Sequence, residues 1–232
     1  MNHPTLSSAP TKTETLWGIA WLAASTLMMP ILLTLLNILL PQPMSAAMLN
    51  VVYYCINFAV ILIIFRPFLR ESALLALQRI PAVLGYGVLG YLGYYVLTTL
   101  LTQGILLIEP DFENINDESI FSMLDENTIP LALATVFLVP MAEETLYRGL
   151  FFRKLLDKNI LTAYIVSMVT FASIHVMGYV GVHPPLTLLL CFLQYLPAGF
   201  CLCFCYRQTG TIMTPILVHT IVNAVGICTY LR

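Results

Sequence analysis

The chain has 232 residues, 59% of them hydrophobic and only 9% charged, with a mean hydropathy of +0.87. Soluble domains carry roughly 25% charged residues, so a water-soluble globule is excluded. The net charge of −2 is no signal of a nucleic-acid partner, because the charges are segregated along the chain rather than summed.

A helix needs about 20 apolar residues to cross a bilayer. Seven segments qualify, at approximately 16–40, 46–66, 81–108, 129–150, 160–179, 186–206 and 211–231. The expected fold is all-α: a polytopic transmembrane helical bundle of about seven spans, forming a single domain over 1–232. Residues 1–15, which include His3, are polar and expected to fray. The first apolar stretch is too long for the h-region of a cleaved signal and should stay as a helix. Residues 67–80 read as a short amphipathic interfacial helix. Gly85, Gly90 and Gly93 suggest close helix approach in the third span and not a nucleotide loop, since no strand precedes them.

Arg66, Arg70 and Arg79 follow the second span, Arg148, Arg153, Lys154 and Lys158 follow the acids of the fourth, and Arg207 ends the sixth. The positive-inside rule makes that side cytoplasmic and puts the N-terminus there too. The segment 109–128 holds seven acids, Glu109, Asp111, Glu113, Asp117, Glu118, Asp125 and Glu126, and no lysine or arginine, as expected of an outside loop. His183 falls in another outside turn, where a histidine before prolines needs no functional account. The six cysteines all lie in apolar stretches; Cys201, Cys203 and Cys205 are two apart, which scatters them around a helix, so they read as small hydrophobes and not as a metal or disulfide set.

Glu143 and Glu144 stand side by side in the fourth span, where each charge costs at least a few kcal/mol, so they demand a polar cavity, an ion path or catalysis. Arg148 follows Glu144 at i,i+4 and can neutralise it, leaving Glu143 free on the adjacent face. Pro140, just upstream, should kink the helix and free a backbone carbonyl near the acids. His175 on the fifth span has Phe171 one turn below it, and His219 and Asn223 share a face of the seventh. Singly, each has an ordinary structural reading: a histidine or asparagine as interhelical glue, Glu144–Arg148 as an ion pair. Together they suit attack of water on an amide carbonyl, with Glu143 as general base, His175 holding the water, and His219 with Asn223 donating to the oxyanion. Glu143, His175 and His219 would equally make a zinc-like set, with Glu144 as base; spacing does not decide between the two. At ~1.5 Å per residue the two histidines enter at unequal depths, about 20 Å for His175 and about 12 Å for His219, so helix tilt or a late start of the fifth span is needed to bring them level.

The motifs Glu-Glu-Thr-Leu-Tyr-Arg-Gly at 143–149, Phe171-Ala-Ser-Ile-His175 and His219-Thr-Ile-Val-Asn223, in that order, with Gly199 and Thr209-Gly210 between them, resemble the CAAX protease and bacteriocin-processing (Abi) family of intramembrane proteases. The likeness covers roughly 129–226. It implies an intramembrane endopeptidase in which Glu143, His175, His219 and Asn223 form the catalytic group and Glu144 and Arg148 support it. The substrate would be a membrane-associated peptide or protein, and the chain would be a multi-pass protein of a bacterial plasma membrane. Eukaryotic members trim prenylated proteins, whereas bacterial members are associated with bacteriocin and pheromone processing or with self-immunity. The family has been described with and without metal. Asn223 is a poor zinc ligand and a good oxyanion donor, which favours a metal-independent glutamate mechanism. Two rivals are a non-catalytic immunity protein that binds a bacteriocin-like peptide and a proton-coupled carrier; carriers of that kind usually show internal repeats and discontinuous helices in both halves, and the confinement of the polar constellation to the C-terminal half counts against the carrier.

Overall fold

The computed structural model describes residues 5–124 and 128–232; His3, Asp125 and Glu126 lie outside the described residues. The described chain is helical apart from an isolated bridge between Val180 and His183. Seven long apolar helices carry the fold: α1 (Lys12–Ile38), α2 (Ala46–Ile64), α4 (Ile80–Leu106), α6 (Ile129–Leu156), α7 (Ile160–Met177), α8 (Pro185–Thr209) and α9 (Met213–Tyr230). Two shorter helices, α3 (Arg66–Leu77) and α5 (Ile115–Leu124), lie between them. Every expected span is present, the fourth running on to Leu156.

Of the spans, α6, which carries the acids, is the most enclosed, while α1 and α2 are the most open. That order is physically required: a helix with two glutamates and an arginine must be wrapped by protein. The outer helices instead expose leucines, isoleucines and valines, as a lipid-facing surface does. Close packing relies on small residues. A Cβ on Gly90 would collide with Cys205 Sγ, and one on Gly199 would lie 3.1 Å from Met168 Cα, so these glycines set the α4–α8 and α7–α8 approaches. Cys191, Cys201, Cys203 and Cys205 are buried, unbridged packing groups.

The amphipathic helix expected at 67–80 forms as α3, its Phe68, Leu69 and Ser72 buried. Phe68 and Phe65 join Leu146, Leu150, Phe152, Tyr206 and Ile212 in the largest core cluster, under the basic end of the bundle.

Two expectations are corrected. First, residues 5–15 are not frayed. Ser7 N–H donates to Gly210 O (2.8 Å), Ser7 Oγ meets Tyr206 OH (2.8 Å), and Arg153 Nε donates to Ser7 O (2.7 Å). Arg79 Nη1 donates to Thr5 O (2.8 Å) and Thr209 O (3.0 Å). Thr11 and Glu14 form a reciprocal capping box that starts α1, and Glu14 Oε1 also accepts from Phe68 N–H (3.1 Å) at the start of α3. The polar character that suggested fraying is what ties this strap to the C-terminal end of α8, the start of α3 and the side chains of Arg79, Arg153 and Tyr206. Second, the acidic segment is not all loop. Asn114 Oδ1 accepts from the N–H groups of Asn116 (3.0 Å) and Asp117 (3.3 Å), Asp117 and Glu118 stand in the first turn where the helix dipole favours acids, and Ile115 and Leu124 are buried. The result is α5, too short for a periodic apolar face to announce.

Gly210 ends α8 in the left-handed region (φ 75°), and a Cβ there would run into Thr5 O. Gly210→Ala is expected to cost about 1–2 kcal/mol from the backbone conformation alone and to loosen the strap, read as faster protease cleavage before Lys12. Unchanged cleavage would mean that Gly210 does not hold it.

Candidate active site

Pro140 leads the way into the site. Upstream of it, Ala134–Leu138 widens to a π turn in which Val139 N–H bonds Ala134 O, five residues back. In that register the Thr135 carbonyl would receive its hydrogen from residue 140, which as proline has none. Asn223 Nδ2 supplies it from α9, 2.9 Å from Thr135 O. The freed carbonyl expected near the acids is thus capped by a site residue, and Asn223 keeps only its second N–H for any other task. A second π stretch, Thr145–Phe152, follows the acids; such turns recur at functional sites.

Glu144 and Arg148 form the buried heart of α6. Arg148 Nη1 lies 2.9 Å from Glu144 Oε1, with both side chains fully buried. His219 Nδ1 reaches the same oxygen at 2.8 Å. Because Oε1 accepts from arginine, it accepts from the imidazole too, so Nδ1 of His219 carries the hydrogen and Nε2 is the nitrogen left for the cavity. The guanidinium also donates to Gly199 O (3.4 Å) and stacks on the Phe171 ring at 4.3 Å.

Glu143 is placed differently. Its Oε2 has no hydrogen-bond partner, and the nearest cationic candidate, His175 Nε2, is 3.8 Å away. His175 Nδ1 lies 2.8 Å from Phe171 O; a carbonyl only accepts, so Nδ1 bears the hydrogen and Nε2 presents a lone pair toward Glu143. The adjacent glutamates therefore serve one histidine each. Phe171 is 4.5 Å from His175 and 5.9 Å from His219 between ring centroids, so it walls both imidazoles and bridges their depths. α7 begins at Ile160, so a late start is not what reconciles the two levels.

A cavity of about 280 Å³ joins these groups; Glu143, His175, His219 and Asn223 line it, with Phe171 as floor. Glu143 also borders a recess of about 60 Å³ lined by Ser25, Tyr53 and Asn57. Sequence reasoning missed Tyr195. Its ring lies 4.2 Å from His175 at 32°, and its hydroxyl contacts Asn114, Asn116 and Asp117, each at 3.1 Å. Gln194, bonded to Asn114 (2.6 Å) and Thr102 (3.1 Å), was the available signal: an amide inside an apolar span. Asp117 lines the cavity, and its burial raises its carboxyl above the ordinary range, with the hydrogen bonds of Tyr195 and Asn116 pulling it back.

The donors at Glu143, His175 and His219 are of types that zinc accepts. Among the described residues, however, no three histidine, cysteine or acidic side chains converge closely enough to hold one ion, and His219 is turned to Glu144.

Fold and site together define a multi-pass helical membrane protein with an acid–imidazole centre enclosed between its spans. Residues 125–225, a little under half of the chain, match the family model Rce1-like: Type II CAAX prenyl endopeptidase Rce1-like. Over these residues the chain is similar to the Rce1-like CAAX protease (CPBP/Abi) family, a likeness that points to a protease. No curated protein and no solved structure matches it.

Proposed function

We propose that the chain is an intramembrane endopeptidase that hydrolyses membrane-associated peptides or proteins with water activated by Glu143. The observation that carries this is the contrast between the two acids: Glu144 is fully buried, its Oε1 held by both Arg148 and His219 and its side chain sealed off from the cavity, whereas Glu143 lines the cavity with its unpartnered Oε2 beside the lone pair of His175 Nε2 at 3.8 Å. Two acceptors cannot hydrogen-bond each other, and one water between them can donate a hydrogen to each. The oxygen of such a water is left to attack. Glu143 takes its proton, the hydroxide adds to the scissile carbonyl carbon, and the C–N bond breaks as the leaving nitrogen recovers that proton from Glu143. His219, its ring oriented by Glu144 at Nδ1 so that Nε2 is turned to the cavity, and the second N–H of Asn223 face the oxyanion. Tyr195 and Phe171 fix the His175 ring.

The test is hydrolysis of a library of membrane-associated peptides by the purified protein in detergent, with cut sites read by mass spectrometry, with and without a strong chelator. Cleavage that survives chelation is expected. Cleavage abolished by chelator and restored by zinc would replace this mechanism with a metal-dependent one, and an inert protein that still binds the peptides would replace the enzyme with a binding role.

A further inference from the structure

The cavity does not stop at the acid–imidazole centre. From Glu143 it runs past His175 and Tyr195 to Asn114, Asn116 and Asp117 at the acidic end of the bundle. Among the described residues two carboxylates, Glu143 and Asp117, line it, and no lysine or arginine does; Arg148 is sealed beneath Phe171. A low-dielectric cleft with charge of one sign concentrates ions of the other. Asp117 makes no ion pair among the described residues; its partners are the neutral Tyr195 and Asn116.

We propose that the Asp117 end of the cavity is a substrate subsite for a cationic group, a lysine or arginine side chain or a free amino terminus, lying on the acidic-segment side of the scissile bond. This rests on the peptidase reading and adds direction to it: the charge distribution makes the acidic end non-cytoplasmic, so the substrate enters from that side. One imidazole and one tyrosine ring separate Glu143 from Asp117, a span that extended peptide crosses in about three residues at ~3.4 Å each. A purely structural Asp117, there to hold Tyr195, needs an acceptor oxygen and not a charge. Asparagine keeps the oxygen and removes the charge, which separates the two roles.

The experiment measures binding to the Glu143→Gln protein, which would not consume the probe, in uncharged detergent. The probes are apolar helical peptides with a neutral fluorophore and a lysine, glutamine or glutamate flank. The lysine peptide is expected to bind about tenfold tighter than the glutamate peptide, the gap narrowing with salt. Asp117→Asn should erase the preference and Asp117→Lys reverse it. Equal affinities with Asp117 intact, or a preference that persists in Asp117→Asn, overturns the subsite. Because binding is read without turnover, a lysine preference in a protein that never cleaves would keep the subsite and remove the peptidase, while cleavage blind to the flank would do the opposite.

Discussion

Replacing Glu143 by glutamine is expected to lower peptide hydrolysis by about 10²–10⁴-fold, the usual contribution of a positioned general base, while leaving the unfolding midpoint unchanged or slightly raised. The two halves of that expectation come from one atom. Glu143 Oε2 has no hydrogen-bond partner to lose, and a neutral amide of the same shape is easier to hold in a membrane cavity than a carboxylate. What disappears is the capacity to accept a proton from water. Glu143→Asp tests the geometry separately: it keeps the base but withdraws it by one methylene from His175, so partial activity is expected, between wild type and glutamine. The measurement is the rate on the best-cleaved peptide, alongside thermal unfolding in the same detergent. If Glu143→Gln retained wild-type rates, the base would have to be another group.

Much of this architecture was legible in the sequence because the membrane is a strict solvent. Only apolar runs of the right length cross it, so the seven spans could be read by counting, and an acid pair inside such a run could not be accidental. Helical spacing paired Glu144 with Arg148 and stacked Phe171 under His175, because both relations are local. What crosses between helices was not legible. Nothing in the spacing of His219 and Asn223 says that the imidazole turns to Glu144 while the carboxamide turns to Thr135; that depends on a π turn whose open carbonyl arises only once Pro140 meets the five-residue register. Tyr195 was hidden for the same reason, an aromatic among apolar residues whose hydroxyl partners lie about 80 positions away. The strap at 5–11 was misread because polarity near a terminus is ordinarily a sign of solvent, whereas here its carbonyls accept from the guanidinium groups of Arg79 and Arg153.

Arg148→Met is expected to be the most destabilising single change in the site, by about 3–5 kcal/mol, because it leaves a buried carboxylate without its main partner. Methionine fills much of the volume over Phe171, so a packing defect is not the principal term; the loss is the charge opposite Glu144 and the donation to Gly199 O. Activity should fall as well, since Glu144 is the group that holds His219 by Nδ1 and it would lose the guanidinium that fixes the same oxygen. The paired change Arg148→Met with Glu144→Gln separates these effects. With both charges gone the desolvation penalty vanishes, so most of the stability should return, while hydrolysis stays low because a neutral carboxamide oxygen holds His219 at Nδ1 more weakly than a carboxylate. Thermal unfolding and peptide hydrolysis measured on the same three proteins check both halves. Stability recovered together with full activity would mean that the Glu144–Arg148 pair is structural only and that His219 does not depend on it; stability that fails to recover in the double variant would locate the cost in lost packing around Phe171 instead of in the unpaired charge.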